Sequence, residues 1–368
     1  MFDHLKVPLE NPRPDFEEFK RVVRGKKRAS RVHFVELLFD YEIFSFIMEN
    51  YLGEKAIPWS SEMKKKSLKQ QIDFWYRMGY DYARIVPDGG LQFPGKTRRT
   101  KDTALFSRGK RDWIEEGKGA INSWEDFEKY SWPDPAKIDY SLCEFAVKNL
   151  PEGMKILVCP SSGILEVSSE ALLGFEGMSY FLYDKQDLVE AIFNKVGQTI
   201  YDFYKNIVNL DGVEGFFQGD DMGFKTSTIV SPRILRKLVL PWHKKFTALA
   251  HRYNKMYWLH CCGNVLAIME DFIEDVKIDA FHSFQDTIIP VAEFKRKYGD
   301  RIATFGGVDM DKLCRLDEID LREYVREILD ECMPDRYALG SGNSITNYVP
   351  VKNYLTLLDE GLRWKRFV

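Results

Sequence analysis

Eight short apolar runs spaced along the chain limit its fold more than any other feature. They are Val32–Leu38, Tyr82–Val86, Lys155–Cys159, Val213–Gly219, Met256–Cys261, Ile278–Phe284, Ile302–Gly307 and Tyr337–Gly340. Most are near-continuous runs of β-branched and aromatic residues, with no strict alternation. That is the pattern of parallel strands buried on both faces. Helical periodicity fills the spaces between them. It predicts helices over Met63–Met78, Glu318–Cys332 and Val351–Arg363, and one capped by Asp184 with Leu188, Ile192 and Val196 on its apolar face. Ser231-Pro232 opens another that should run to about Asn254 with a kink at Pro241. Strands alternating with helices eight times over predict an α/β chain of the (β/α)₈ TIM barrel type. An open doubly wound sheet would call for a glycine-rich fingerprint after an early strand, and the sequence has none.

Two stretches fall outside this alternation. Residues 1–30 precede the first strand and read as an N-terminal helical extension to a single barrel domain over 31–368. Residues 87–154 form a long insertion after the second strand, expected to cover or flank the barrel mouth. The insertion carries the basic run Lys96-Thr97-Arg98-Arg99-Thr100-Lys101. This reads as a solvated loop face, with docking of an acidic partner protein as its functional alternative.

The net charge of −3, with both signs interspersed, leaves no footprint for nucleic acid or an anionic membrane. No window approaches about 18 uninterrupted apolar residues, and residues 1–20 have no apolar signal-peptide core. Six cysteines in 368 residues are too sparse for a secreted disulfide scaffold. A soluble cytoplasmic protein is expected.

The chemistry concentrates in His260-Cys261-Cys262-Gly263, which closes the run Met256-Tyr257-Trp258-Leu259. Residues two apart on a strand project to the same side, so His260 and Cys262 should share a face while Cys261 packs on the other. Imidazole and thiolate together suit zinc, and the strand end is where a barrel keeps its site. The plainer use of the pair is a buried histidine satisfied by a backbone carbonyl beside a small apolar thiol. Asp220 and Asp221 follow the fourth strand and Asp309 the seventh, and all three are candidate catalytic carboxylates. Asx turns or helix capping are their structural alternatives. Arg84, in an otherwise small and apolar strand, is either an anion-binding group or one half of an ion pair.

Several ordered segments carry a family resemblance: Gly219-Asp220-Asp221-Met222-Gly223, Ser231-Pro232-Arg233, Leu240-Pro241-Trp242 and His260-Cys261-Cys262-Gly263-Asn264. With Phe305-Gly306-Gly307-Val308-Asp309 and Leu339-Gly340-Ser341-Gly342-Asn343, the chain resembles the uroporphyrinogen decarboxylase superfamily over roughly residues 30–365. The likeness is greater to its corrinoid-linked methyltransferase branch. That resemblance implies a barrel with zinc at its mouth, held by a His-x-Cys pair and a later cysteine. It also implies methyl transfer between a small substrate and methylcobalamin or a related corrinoid, carried by a partner corrinoid protein.

His260 and Cys262 match the first two ligands, whereas Asn343 stands at or near the place of the third. An oxygen ligand is compatible with zinc beside such a pair. Glu36 is taken as the third ligand, with Asp220 or Asp221 as equal alternatives and His282 behind them. Asn343 is expected to donate a hydrogen bond, and Asn343, Arg84 and Tyr348 are the expected substrate contacts. The decarboxylase branch fits less well. Its N-terminal Arg-Gln-Ala-Gly-Arg motif is replaced by Val35-Glu36-Leu37-Leu38-Phe39-Asp40, which would repel a polycarboxylate. The preferred expectation is a zinc-dependent methyltransferase that demethylates a small donor such as a methoxylated aromatic, or methylates a thiol. A metal-free decarboxylase and a non-catalytic corrinoid- or tetrapyrrole-binding protein are the alternatives.

Overall fold

A computed structural model of the chain describes residues 4–115, 117 and 119–365. Its main sheet has seven parallel strands. In spatial order they are β1 (Tyr82–Ile85), β4 (Lys155–Val158), β5 (Val213–Gly219), β6 (Met256–His260), β7 (Ala280–His282), β8 (Ala303–Phe305) and β9 (Tyr337–Ala338). The short antiparallel hairpin of β2 (Thr97–Lys101) and β3 (Lys110–Ile114) stands apart. Sequential strands lie side by side with helices between them, so the expected α/β class and parallel order hold. Seven of the eight apolar runs contain these seven strands. Both faces of the sheet are buried, as the near-continuous apolar runs require: all five residues of β6 are buried.

The first expected strand is the exception. Residues 32–38 form no regular strand and meet the end of β9 through a single parallel bridge, Phe34 with Leu339. A second bridge, Phe39 with Ile345, continues the contact. On the other flank the Tyr82 hydroxyl accepts from the Glu36 N–H at 3.0 Å and donates to the Glu36 carbonyl at 2.8 Å. One phenol thus satisfies the two backbone groups that a ladder to β1 would have paired, and the buried segment needs no strand partner there.

Two helix boundaries also differ from expectation. Asp184 ends the helix Phe175–Asp184, and the next helix, Gln186–Ile207, starts without a side-chain cap. The expected kinked helix is two helices, Pro232–Leu238 and Leu240–Arg252, broken at Val239 so that Pro241 falls in the first turn of the second. A missing proline N–H costs nothing in a first turn, where N–H groups are unpaired anyway.

The extension closes one end of the sheet. From the helix Phe16–Val23, Phe19 stacks on His33 at 4.7 Å and lies 5.5 Å from Trp258. Phe16 N–H bonds the carbonyl of Gly153, Asp15 N–H bonds Asp81, and Lys20 pairs with Glu214. Each of those partners lies at the N-terminal end of a strand or just before it. The opposite end, where the strands finish, is left for the site.

Candidate metal centre

The sheet register places the central residues. Gly219, His260 and His282 are aligned laterally at the C-terminal ends of β5, β6 and β7. Past the last ladder pair the chains stay tied: Asp220 N–H bonds the His260 carbonyl, Cys261 N–H the His282 carbonyl, and Gly223 N–H the Cys262 carbonyl. Gly263 then turns with φ +79°, and a Cβ there would come 2.2 Å from the backbone of Gly223. Glycine is therefore required where the two loops cross.

His260 and Cys262 do point to the same side, with Sγ 3.3 Å from His260 Nε2. Cys261 faces the other way, buried, and its sulfur accepts from Met222 N–H. The carboxylate that meets the pair is Asp221. Its Oδ1 lies 3.5 Å from His260 Nε2 and accepts the Cys262 N–H at 2.7 Å. One donor atom from each of Asp221, His260 and Cys262 falls within 4.8 Å of the others, and this is the one such His/Cys/Asp/Glu group among the described residues.

The protonation state of His260 follows from its neighbours. His282 Nε2 lies 3.0 Å from the Ser341 carbonyl, which can only accept, so that nitrogen carries a proton. Burial and then the neighbouring His260 hold His282 well below the ordinary histidine range, so the ring is neutral and its Nδ1 is bare. Across 2.7 Å, His260 Nδ1 must then be the donor. Burial, with Arg84 adding to it, brings His260 down to about 3, so its Nε2 keeps a lone pair aimed at Cys262 and Asp221. Gly306, with φ +79°, makes room for this relay. A Cβ at Gly306 would lie 2.8 Å from the His282 ring and 2.3 Å from the Ser341 carbonyl.

Several expected site residues do other work. Glu36, the expected oxygen ligand, is fully buried and spends both carboxylate oxygens on Ser341, at 2.7 Å to its N–H and 2.7 Å to its hydroxyl. Burial pushes Glu36 up to about 8, and the two bonds from Ser341 oppose that rise. The oxygen donor beside the pair is thus Asp221, while Glu36 anchors the loop whose carbonyl fixes His282. His282 is not a third ligand candidate either, since both its nitrogens are engaged in the relay.

Asp220, expected to be catalytic, accepts from the N–H groups of Ile164, Leu165 and Glu166 at 2.9–3.1 Å and from His243 Nε2 at 2.8 Å. It seats the start of the 164–172 helical segment. Asp309 caps Met310–Arg315 through Asp311 and Lys312 N–H and ties down Asp286 N–H. Tyr348 is exposed and lines no part of the cleft. Asn343 donates from Nδ2 to Cys262 Sγ at 3.1 Å, so it is a hydrogen-bond donor beside the pair.

A cleft of about 440 Å³ opens beside these groups, lined by His260, Asp221, Arg84, Glu166, Cys159 and Ser161 among others. From the long insertion, Leu91, Gln92 and Phe93 form part of its wall. Arg84 has no carboxylate partner among the described residues; its Nε donates to the Phe217 carbonyl at 3.4 Å. Glu166 was not singled out from sequence. Burial, then Asp221 and Asp220, push it well above the usual carboxyl range, and burial likewise raises Asp221. The Cys262 thiol is driven up by burial and by Asp221. Three residues after Gly163, Glu166 sits at a capping position, and that was its only sequence signal.

The sequence pattern of the uroporphyrinogen decarboxylase (URO-D) family matches residues 117–362, and the chain belongs to that family. In structure it is similar to a methyltransferase from Methanosarcina mazei. The TM-score is 0.66 at 16% identity, covering 94% of this chain and 97% of that one. It is also similar to a B12-independent methionine synthase from Shewanella sp., with a TM-score of 0.50 at 12% identity over 83% of this chain and 89% of that one. No curated protein matches it in sequence. Among the described residues no helix is long and apolar enough to cross a membrane.

Proposed function

We propose that this protein is a methyltransferase that holds zinc between His260, Cys262 and Asp221 and moves a methyl group between a small substrate and a corrinoid brought by a partner protein. The observation that carries the reading is His260 Nε2, oriented by His282 and facing a thiol and a carboxylate beside the cleft. Zinc bonds of about 2.0–2.3 Å at tetrahedral angles put neighbouring donors roughly 3.4–3.6 Å apart. The 3.3 Å and 3.5 Å separations from His260 Nε2 to Cys262 Sγ and Asp221 Oδ1 fit that spacing. The donor chemistry fits too. Buried without a cation, the thiol and the carboxylate are both pushed toward their protonated forms, and a divalent ion is what would let both ionise together. When bound, zinc supplies Lewis acidity toward a substrate oxygen or sulfur. Three protein ligands leave a fourth position for the cleft to serve.

The remaining groups have roles of their own. Asn343 donates to the Cys262 sulfur and steadies the thiolate without adding a second negative charge. Glu166 lines the same cleft, and burial with Asp221 and Asp220 beside it holds its carboxyl well above the usual range, so it is the group that would supply a proton to a substrate oxygen there. A ligand set with one sulfur and one carboxylate leaves the metal more electrophilic than two thiolates would, and that favours an oxygen leaving group. The Phe34–Leu339 bridge at the end of β9 supports reading the finer architecture as a (β/α)₈ barrel with its mouth at this cleft. Its six free cysteines suit a reducing, cytoplasmic setting.

The test is metal content followed by transfer. Stoichiometric zinc is expected in the purified protein and not in a His260→Ala/Cys262→Ala protein. Mixing the zinc form with cob(I)alamin and a methoxylated aromatic should give the methylcobalamin spectrum. A folded protein that binds no zinc under any loading condition would end this reading.

A further inference from the structure

Next to the metal cleft lies a second cavity of about 310 Å³, walled by Phe39, Tyr41, Phe44, Trp59, Phe74 and Trp75 with several aliphatic side chains. The two cavities share Leu37, Leu38, Arg84, Val86 and Gly89 as a common wall. Arg84 is therefore the one charged residue that lines both. Only its Nε is engaged, so the two terminal amino groups of its fork have no partner among the described residues. A partly buried guanidinium without a carboxylate is costly to keep unless something anionic arrives to pair with it. No carboxylate lines the second chamber: besides Arg84 its polar groups are the Tyr41 hydroxyl, the Trp59 indole, and Ser67 and Gln71, which bond each other at 3.3 Å.

From this juxtaposition we infer that the substrate has a flat apolar body held in the aromatic chamber and an anionic group, a carboxylate or its equivalent, paired with Arg84. The inference rests on the methyl-transfer reading only for calling the bound molecule a substrate. Aromatic walls favour a ring over a short aliphatic chain, because ring faces and edges pack at characteristic separations. The planar fork of Arg84 matches a carboxylate with two parallel bonds, which an alcohol or a neutral amide cannot reproduce.

The experiment is calorimetric titration of the full chain, metal-free and zinc-loaded, with 4-methoxybenzoate, 4-methoxybenzyl alcohol and acetate. The benzoate should bind about tenfold or more tightly than the alcohol, equivalent to one charge-assisted bond at roughly 1.4 kcal/mol. Acetate should bind more weakly than either. In Arg84→Met the benzoate and the alcohol should bind alike, and Arg84→Lys should recover part of the preference. Gln71→Trp, which adds bulk to the chamber lining, should weaken both aromatic ligands and leave zinc content unchanged. Equal binding of the acid and the alcohol to the unmodified chain, or a preference that survives Arg84→Met, would overturn the inference. Zinc content and methylcobalamin formation report on the methyl-transfer reading separately, since the acid preference can be measured without either.

Discussion

His260 and His282 face each other Nδ1 to Nδ1 at 2.7 Å, and the Ser341 carbonyl on the far side of His282 decides which ring carries the shared proton. The order runs from Glu36 to Ser341, from Ser341 to His282 and from His282 to His260, so a buried carboxyl outside the ligand set controls the face that His260 presents. Removing His282 frees the His260 ring to turn. In His282→Ala, zinc affinity should fall about 10- to 100-fold, the usual cost of losing an outer partner of a metal-bound histidine. Competition with a chelating dye checks this, and an unchanged affinity would mean the imidazole is held by packing alone.

Asn343→Cys should tighten zinc binding under reducing conditions. The amide nitrogen already lies 3.1 Å from Cys262 Sγ, so a thiolate from this position enters the same cluster. Two sulfur donors should also lower activity toward an oxygen leaving group by making the metal less electrophilic. The measurements are the same competition titration and the rate of methylcobalamin formation.

Asp220→Ala should destabilise the fold and leave the metal donors in place. Its carboxylate holds three N–H groups at the start of the 164–172 segment together with His243, and all but the Glu166 bond are buried. Stranding those donors should cost on the order of 3 kcal/mol in urea unfolding. Zinc stoichiometry should be retained in the folded fraction. A stable variant that had lost its zinc would instead put Asp220 in the metal centre.

Glu36 predicts a pH dependence of stability. Its folded-state value is raised from 4.5 to about 8, so the folded protein holds a proton that the unfolded chain releases across that window. The unfolded state therefore binds fewer protons between about pH 4.5 and 8, and stability should fall as pH rises through it, by up to about 1.4 kcal/mol per pH unit from this one group. Glu36→Gln should flatten that slope, as chemical unfolding at several pH values would show.

Much of the fold was legible in the sequence because a buried parallel strand has few ways to be written. Val213–Gly219, Glu318–Cys332 and Val351–Arg363 match their observed bounds. Residues 32–38 look equally strand-like, yet their backbone is satisfied partly by the Tyr82 hydroxyl, a contact from 46 positions away that local pattern cannot reveal. The site divides in the same way. Strand alternation identified His260 and Cys262 as a pair and set Cys261 aside. Which carboxylate joins them depends on where each loop turns after its strand. Asp220 and Asp221 differ by one position; the first turns to a helix start and the second to Cys262 N–H. Glu36 sits on an expected strand end like the others, and only the approach of the 341 loop, 305 positions away, claims its oxygens.

X-ray absorption at the zinc edge of the loaded protein tests the central claim most directly. The account predicts a single sulfur at about 2.3 Å with the remaining donors nitrogen or oxygen at about 2.0–2.2 Å, and loss of the sulfur shell in Cys262→Ser. A shell with two or more sulfurs, or an environment that Cys262→Ser and Asp221→Asn both leave unchanged, would contradict it.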